Sequence, residues 1–432
     1  MISGLNTLSA AEIARRIGRG DIAAEAVVRD CLARIDERES TVHAWSFLDP
    51  DLALRQARAC DTAAAVGRGP LHGVPVGIKD VLDTADLPTE MGSPIYKGHR
   101  PKADASCVAL MRAAGAVILG KTVTAEFAGV APGPTANPHN PAHTPGGSSS
   151  GSAAAVADFM VPIAFGTQTG GSVLRPASFC GVIGYKPTYN AFNRAGLKFA
   201  AESLDTIGLL ARTIDDIALM SAVLVGRKPE PVAVPNARLR IGLCRTPLWR
   251  AAQPETVEAV EDAAARLVQA GALVHACDLP APFAGLGDVR DIVNDYERAH
   301  AMSWEWQHHR DLLSERLRTI VQHGFGVPHD EYVAAVRLME SCRAMLKGVF
   351  ESFDVLLAPC VAGEAPKGLT HTGDTRFQAF WTMLHVPTLC LPTHKGPNGL
   401  PVGIQIVAPM HRDTTLFGAA RWMIERLGSW ET

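Results

Sequence analysis

Lys79, Ser148 and Ser172 are the residues whose types and settings can do chemistry together. Each serine follows a Gly-Gly step, and the two positions differ by 24. Lys79 lies 69 residues before the first serine. The segments read Gly73-Val74-Pro75-Val76-Gly77-Ile78-Lys79-Asp80, Pro145-Gly146-Gly147-Ser148-Ser149-Ser150-Gly151-Ser152 and Gly166-Thr167-Gln168-Thr169-Gly170-Gly171-Ser172. One lysine and two serines in glycine-dense loops can form a hydrolytic relay that needs no histidine and no metal. Serine is a weak nucleophile until a base takes its proton, and Ser-Lys pairs are one solution. Lysine is a base only when neutral, so its pKa must fall from about 10.4 toward ~7–8. Burial does this, because low dielectric disfavours the ammonium. Lys79 ends an apolar run (Val74, Val76, Ile78) and precedes Val81 and Leu82, as in a buried strand carrying one polar residue. The same pattern fits a lysine exposed at a strand end or paired with Asp80.

The glycines answer a second need. Acyl transfer puts negative charge on the former carbonyl oxygen, and convergent backbone N–H groups stabilise it. Thr169, Gly170, Gly171 and Ser172 can present such groups, since glycine permits close approach. A Gly/Ser-rich loop can also cradle a phosphate. However, Pro145–Ser152 lacks the Gly-Lys-Ser/Thr ending of a P-loop, and no Gly-x-Gly-x-x-Gly follows a plausible strand. Gly147–Gly151 also satisfies G-x-S-x-G around Ser149, but a nucleophile elbow needs a strand before it. Here Asn137–Pro145 holds Pro138, Pro141 and Pro145, which exclude a central strand.

On these motifs the chain resembles the amidase signature family of serine hydrolases. The resemblance continues through Arg175-Pro176-Ala177, Cys180–Thr188, Ser203–Gly208, Lys121-Thr122 with Glu126-Phe127, and Gly399–Ile406. It runs from about residue 8 to the C-terminus and is strongest over 70–210. It implies Ser172 as the nucleophile, Ser148 as a bridging serine after a cis Gly147–Ser148 bond, and Lys79 as the terminal base. It also implies an oxyanion hole from the Thr169–Ser172 backbone, with Arg175 either steadying that loop or meeting an acidic substrate. Gln168 stands where many members have Asp, although malonamidase-like members carry glutamine there. Tyr189–Arg194 replaces a usual Gly-Arg-Val-Ser-type segment, and Leu209 rather than proline follows Gly208.

The elements that must position these residues read as α/β. A capping pair, Ser9 with Glu12, opens a helix ending near Gly18, and Asp21 can cap a second helix to about Arg38. A third helix is expected over 50–66. Asp104 is the expected cap of a helix over 105–114, and Ala116–Leu119 reads as a strand. Ser149–Phe159 reads as a helix of small residues, and Val161–Phe165 as the strand delivering the oxyanion loop. Further strands are expected near 239–243, 272–276, 353–357 and 387–391. Long helical patterns cover Asp291–Asp311 and His329–Ser352. The expected fold is a single large domain, 1–432, with a mixed β-sheet covered by helices on both faces. A catalytic core spans about 60–220, and a helical excursion over about 289–352 serves as pocket wall or subunit contact.

Length alone would suggest about three domains, but family-like segments run through all 432 residues without a low-complexity linker. Hydrophobic content of 47% and charged content of 20% describe a globular chain with a large core. A net charge of −3 gives no electrostatic case for nucleic acid. Neither His-Glu-x-x-His nor Cys-x-x-Cys occurs, so no metal is expected, and no cofactor. Nine cysteines without regular spacing suit a reducing compartment. The N-terminal residues carry no apolar signal core and no stretch is long enough to cross a membrane, so the expected location is cytoplasmic.

The leading expectation is an amidase that hydrolyses a small carboxamide to acid plus ammonia or amine. Phe127, Phe192 and Trp381 are pocket candidates favouring an aryl or alkyl amide, with Gly147 and Gln168 alongside. Arg175 and Arg194 leave room for a carboxylated substrate such as a malonamate. Carbamates, ureas, hydrazides and esters are within reach of the same relay. The alternative is the amidase subunit of an aminoacyl-tRNA amidotransferase, against which Gln168 and the chain length count. A non-catalytic binding protein is disfavoured by the intact Lys79, Ser148 and Ser172. A homodimer is the expected assembly.

Overall fold

Short apolar runs rich in Val, Ile and Leu form the strands, because branched side chains suit a pleated surface buried on both sides. The computed structural model describes residues 4–129, 131–235 and 238–431. Its strands are β1 (Trp45–Leu48), β2 (Pro75–Lys79), β3 (Val117–Thr122), β4 (Ile163–Gln168), β5 (Ile183–Lys186), β6 (Thr206–Ala211), β7 (Arg240–Leu243), β8 (Leu273–Ala276), β9 (Val355–Pro359), β10 (Thr388–Lys395) and β11 (Pro401–Val407). They join one sheet in the order β1-β3-β2-β4-β6-β5-β10-β11-β9-β7-β8. The sheet is mixed. β2 runs parallel to β3 and β4, β7 parallel to β8 and β9, and the pairs from β4 through β6, β5, β10 and β11 to β9 are antiparallel. Helices cover both faces, giving the expected mixed-sheet α/β domain.

Central strands β2, β3, β4, β6, β9 and β11 are buried along their whole length. The helix of small residues is Ser150–Ala157, and Gly151 shows why it needs them. A Cβ there would stand 2.1 Å from the Ala44 carbonyl oxygen and 2.4 Å from the Val123 amide nitrogen. This closeness seats the helix directly behind the loop that carries Ser148.

Several expected boundaries shift for identifiable reasons. The second helix begins at Ala24, not at Asp21, because the Asp61 carboxylate accepts from the Ala24 and Glu25 amides at 2.6 and 3.0 Å. Asp104 does not cap the helix Ser106–Ala113; it accepts instead from Arg112 Nε (2.9 Å) and the Ala85 amide (2.8 Å). The third helix stops at Thr62. The pattern over 291–311 divides at Met302 into Leu286–Ala301 and Ser303–His308, while His329–Ser352 is one helix as expected. Among the described residues, no helix is long and apolar enough to cross a membrane.

Candidate active site

Parallel neighbours β2 and β4 end side by side, and the chemistry-bearing residues collect at their C-terminal ends, the usual place for a site in such a sheet. Lys79 closes β2 and is fully buried. Its Nζ lies 2.7 Å from Ser148 Oγ, 2.7 Å from Thr167 Oγ1 and 3.5 Å from the Thr167 carbonyl oxygen. No carboxylate touches it among the described residues. Burial therefore holds its pKa well below the ordinary lysine value, only partly opposed by the more distant charge of Asp205. The surface-lysine and Asp80-pair readings are both excluded: Asp80 pairs with Lys121 at 3.4 Å.

Ser148 is fully buried and follows a cis Gly147–Ser148 peptide. Its carbonyl accepts from the Ala125 amide at 3.0 Å, while Ser172 O accepts from the Ser149 amide at 3.3 Å. The two serine loops are thus laced together through Ser149. That residue's Oγ is spent within the fold, on the Thr167 carbonyl and amide, consistent with rejecting it as an elbow nucleophile. Ser172 retains 7% exposure beside the two completely buried members of the set.

The Thr169–Ser172 loop, the expected oxyanion hole, is held by Gln168 and by the helix Arg376–Met383. Gln168 Oε1 accepts from the Val173 and Leu174 amides at 2.9 and 3.1 Å, and its Nε2 donates to Thr382 Oγ1 at 3.0 Å. Thr382 Oγ1 donates in turn to the Gly170 carbonyl at 2.7 Å. Among the described residues, the Gly170, Gly171 and Ser172 amides have no protein acceptor. Thr169 anchors the start of the loop by donating its hydroxyl to Asp205. Asp205 also accepts from the Ala200 and Ala201 amides at 2.6 and 3.0 Å, and burial raises its pKa.

Arg175 braces the other loop. Its guanidinium donates to the Gly147 carbonyl (2.6 Å), the Gly373 carbonyl (2.7 Å) and Thr372 Oγ1 (3.1 Å), and burial pushes its pKa down to about 9. Gly147 itself stands close to Thr372, whose Cγ2 would lie 2.7 Å from an added Cβ. The expected alternatives were steadying the Thr169–Ser172 loop or meeting an acidic substrate; its side-chain contacts go instead to the Ser148 loop and to residues 372–373.

The expected pocket residues fare differently. Gln168 is fully buried with both amide atoms engaged, so it holds the loop and has no free group for a substrate. Trp381 is fully buried and packs edge-on against Phe380 at 5.1 Å in a hydrophobic cluster with Phe283 and Met339. Phe192 packs on Tyr185 within the main core. Phe127 is nearer the site. It has φ of 46°, its neighbour Ala128 53° and Met91 58°, and the Phe127 amide donates to the Met91 carbonyl at 2.8 Å. Three non-glycine residues in left-handed backbone beside the Ser148 loop make a strained patch of the kind found at functional sites.

Thr167 is the residue that reading the sequence missed. The expected strand stopped at Phe165, whereas β4 continues to Gln168 and turns Thr167 to the same face as Phe165 and Ile163, toward Lys79.

The family described as Amidase matches residues 26–417. The chain belongs to the amidase family. It is an enzyme acting on amides, as the amidase signature residues imply. A glutamyl-tRNA(Gln) amidotransferase subunit from Streptomyces avermitilis is 32% identical, over 96% of this chain and 94% of that protein. That alignment spans 471 positions, more than the 432 residues here, so the relative carries segments that this chain lacks. A crystal structure of an amidase superposes with a TM-score of 0.89 at 28% identity, covering 98% of this chain and all of that one. The native peptide amidase of Stenotrophomonas maltophilia gives 0.81 at 28% identity, covering 98% and 97%.

Proposed function

We propose that this amidase hydrolyses a small linear carboxamide through an acyl-enzyme on Ser172, with Ser148 and Lys79 as its proton relay. The observation that carries the reading is the fully buried Lys79 amine, 2.7 Å from Ser148 Oγ and with no carboxylate in contact among the described residues. A neutral amine there donates its N–H groups to the Thr167 hydroxyl and carbonyl and turns its lone pair to the Ser148 O–H. Lys79 takes the Ser148 proton as Ser148 takes that of Ser172, whose oxygen attacks the amide carbon. The Gly170, Gly171 and Ser172 N–H groups receive the developing oxyanion, with Thr169 fixing the loop. Ser148 then passes a proton to the departing amine, and water admitted past Ser172 releases the acid. No metal or cofactor enters these steps.

A second reading is supported by the curated relatives: the same chemistry used within an aminoacyl-tRNA amidotransferase complex. Gln168, where many members carry Asp, is the feature that supports the free-standing amidase. Partner subunits co-purifying with the tagged chain from its native cells would decide for the complex. The free-standing reading is of a cytoplasmic homodimer, in keeping with nine unpaired cysteines.

The test is ammonia or amine release from aliphatic, aryl, dicarboxylic and carbamate substrates, with Ser172→Ala alongside. Turnover of one group, lost in the variant, supports the proposal. Turnover retained by Ser172→Ala refutes it.

A further inference from the structure

All nine cysteines are free, yet two of them face each other at the rim of the sheet. Cys244 follows β7 and Cys277 follows β8. The parallel register that pairs Leu243 with Ala276 sets the two cysteines opposite each other one step further on. The Cys277 amide donates to the Leu243 carbonyl at 3.0 Å, so the ladder still holds at that step. Their Cα atoms are therefore one strand spacing apart, about 4.8 Å, within the roughly 4.4–6.8 Å that a disulfide bridges. Both side chains leave the same face of the sheet. A Cβ on Gly242, two residues before Cys244, would lie 3.0 Å from Cys277 Cβ. The two thiols hydrogen-bond to each other and share an apolar cluster with Phe283 and Leu286. Cys360 and Cys390 also touch, but both are fully buried and β11 lies between their strands.

Cys244 and Cys277 differ in access. Among the described residues, β8 is the last strand of the sheet and pairs with β7 alone. Cys277 keeps 6% exposure and stands between the exposed Ala276 and Asp278, whereas Cys244 is fully buried one strand further in. Cys244 donates its S–H to the Cys277 sulfur. That bond holds the Cys277 thiol below its ordinary pKa, against burial and the Asp278 charge, and together with burial it pushes Cys244 well above. The thiolate is the reactive form, so Cys277 is the member that meets a solvent oxidant first. We propose that Cys244 and Cys277 form a peroxide-reactive dithiol: Cys277 is oxidised, Cys244 resolves it, and the disulfide staples the edge strand β8 to β7. In the first step the Cys277 thiolate attacks one oxygen of hydrogen peroxide; the O–O bond breaks, hydroxide leaves, and Cys277 becomes a sulfenic acid. In the second, the Cys244 sulfur attacks the Cys277 sulfur; the S–O bond breaks, and the hydroxyl departs as water with the Cys244 proton. Two thiols are oxidised and one peroxide is reduced to water. A thiol reductant reverses the linkage by exchange.

The test treats the reduced full chain with millimolar hydrogen peroxide for an hour, then blocks the remaining thiols with iodoacetamide in denaturant. Peptides are mapped by mass spectrometry without reduction. The expected product is a Cys244–Cys277 peptide pair, lighter than its two thiol peptides by two hydrogens. It should form at least tenfold faster than any modification of the other cysteines, and dithiothreitol should restore both thiols. Cys244→Ala should leave Cys277 as a sulfenic acid that dimedone traps, and Cys277→Ala should leave Cys244 unmodified. The wild-type map needs no substitution, so it decides even where a variant folds poorly. The two cysteines are 33 positions apart, and closing that loop in the unfolded chain should raise the melting temperature. A rise of about 2–5 °C is expected, reversed by dithiothreitol. Both thiols still open to iodoacetamide after the peroxide treatment overturn the inference. So does Cys244 oxidised in Cys277→Ala at the wild-type rate, or a cross-linked chain that melts no higher than the reduced one.

Discussion

Replacing Lys79 with methionine should stabilise the fold progressively more as the pH falls, while abolishing turnover. The argument starts from complete burial with only hydroxyl and carbonyl partners. The folded pKa lies below the unfolded one, so at any pH between them the unfolded chain binds a proton that the folded chain does not. Wild-type stability therefore rises with pH across that window, by about 1.4 kcal/mol per unit for this one group. Methionine fills a similar volume and has no such slope. Its cost is constant: the Ser148 and Thr167 hydroxyls each lose a partner, about 1 kcal/mol apiece. The difference in unfolding free energy, Lys79→Met minus wild type, should then shrink by about 2 kcal/mol between pH 8.0 and 9.5. Lys121, whose pKa is lowered to about 8, and Lys186, lowered to about 7, titrate in both proteins and cancel in the difference. Urea denaturation followed by tryptophan fluorescence at four pH values measures it. Parallel profiles would mean that Lys79 keeps its proton in the folded state, and a protonated lysine cannot be the base.

Thr167→Val removes the hydroxyl 2.7 Å from Lys79 Nζ while keeping the shape. It should lower kcat about 10–100-fold, or roughly 1.4–2.7 kcal/mol, with KM little changed; a kcat within twofold of wild type would deny Thr167 a part in orienting the base. Gly171→Ala would bring a Cβ to 2.5 Å from Gln378 Oε1 and 2.6 Å from Thr375 Oγ1, pushing the oxyanion loop outward. A loss of about 100-fold in kcat is expected from misaligned donors, with the melting temperature nearly unchanged; full activity would remove the loop amides from the mechanism.

Lys79, Ser148 and Ser172 stood out in the sequence because their motifs are local: each residue is announced by glycines or apolar alternation within a few positions. The α/β layout of helices over a sheet was legible for the same reason, the mixed sheet followed from the family resemblance, and His329–Ser352 was read to the residue. What escaped depends on contacts made far along the chain. Helix 24–42 is capped by Asp61, and Asp104 is drawn away by Arg112, partners that no short window reveals. That Trp381 is wholly buried in a hydrophobic cluster depends on partners far along the chain, such as Phe283 and Met339. Gln168 could be recognised as a departure from Asp, but not as a side chain accepting from two amides and reaching Thr382.

The bonds from Thr382 to Gln168 and Gly170 span 214 and 212 residues. During synthesis, Ser172 leaves the ribosome long before the helix that clamps its loop exists. Chains emerge N-terminal first at roughly 5–20 residues per second, so this interval lasts on the order of ten seconds or more. Throughout it the nascent chain has Ser172 but nothing to fix the loop that carries it. The set shape of that loop is therefore a property of the finished polypeptide, and a product truncated before residue 382 carries all three glycine-rich motifs without the side chain that ties Gln168 to Gly170.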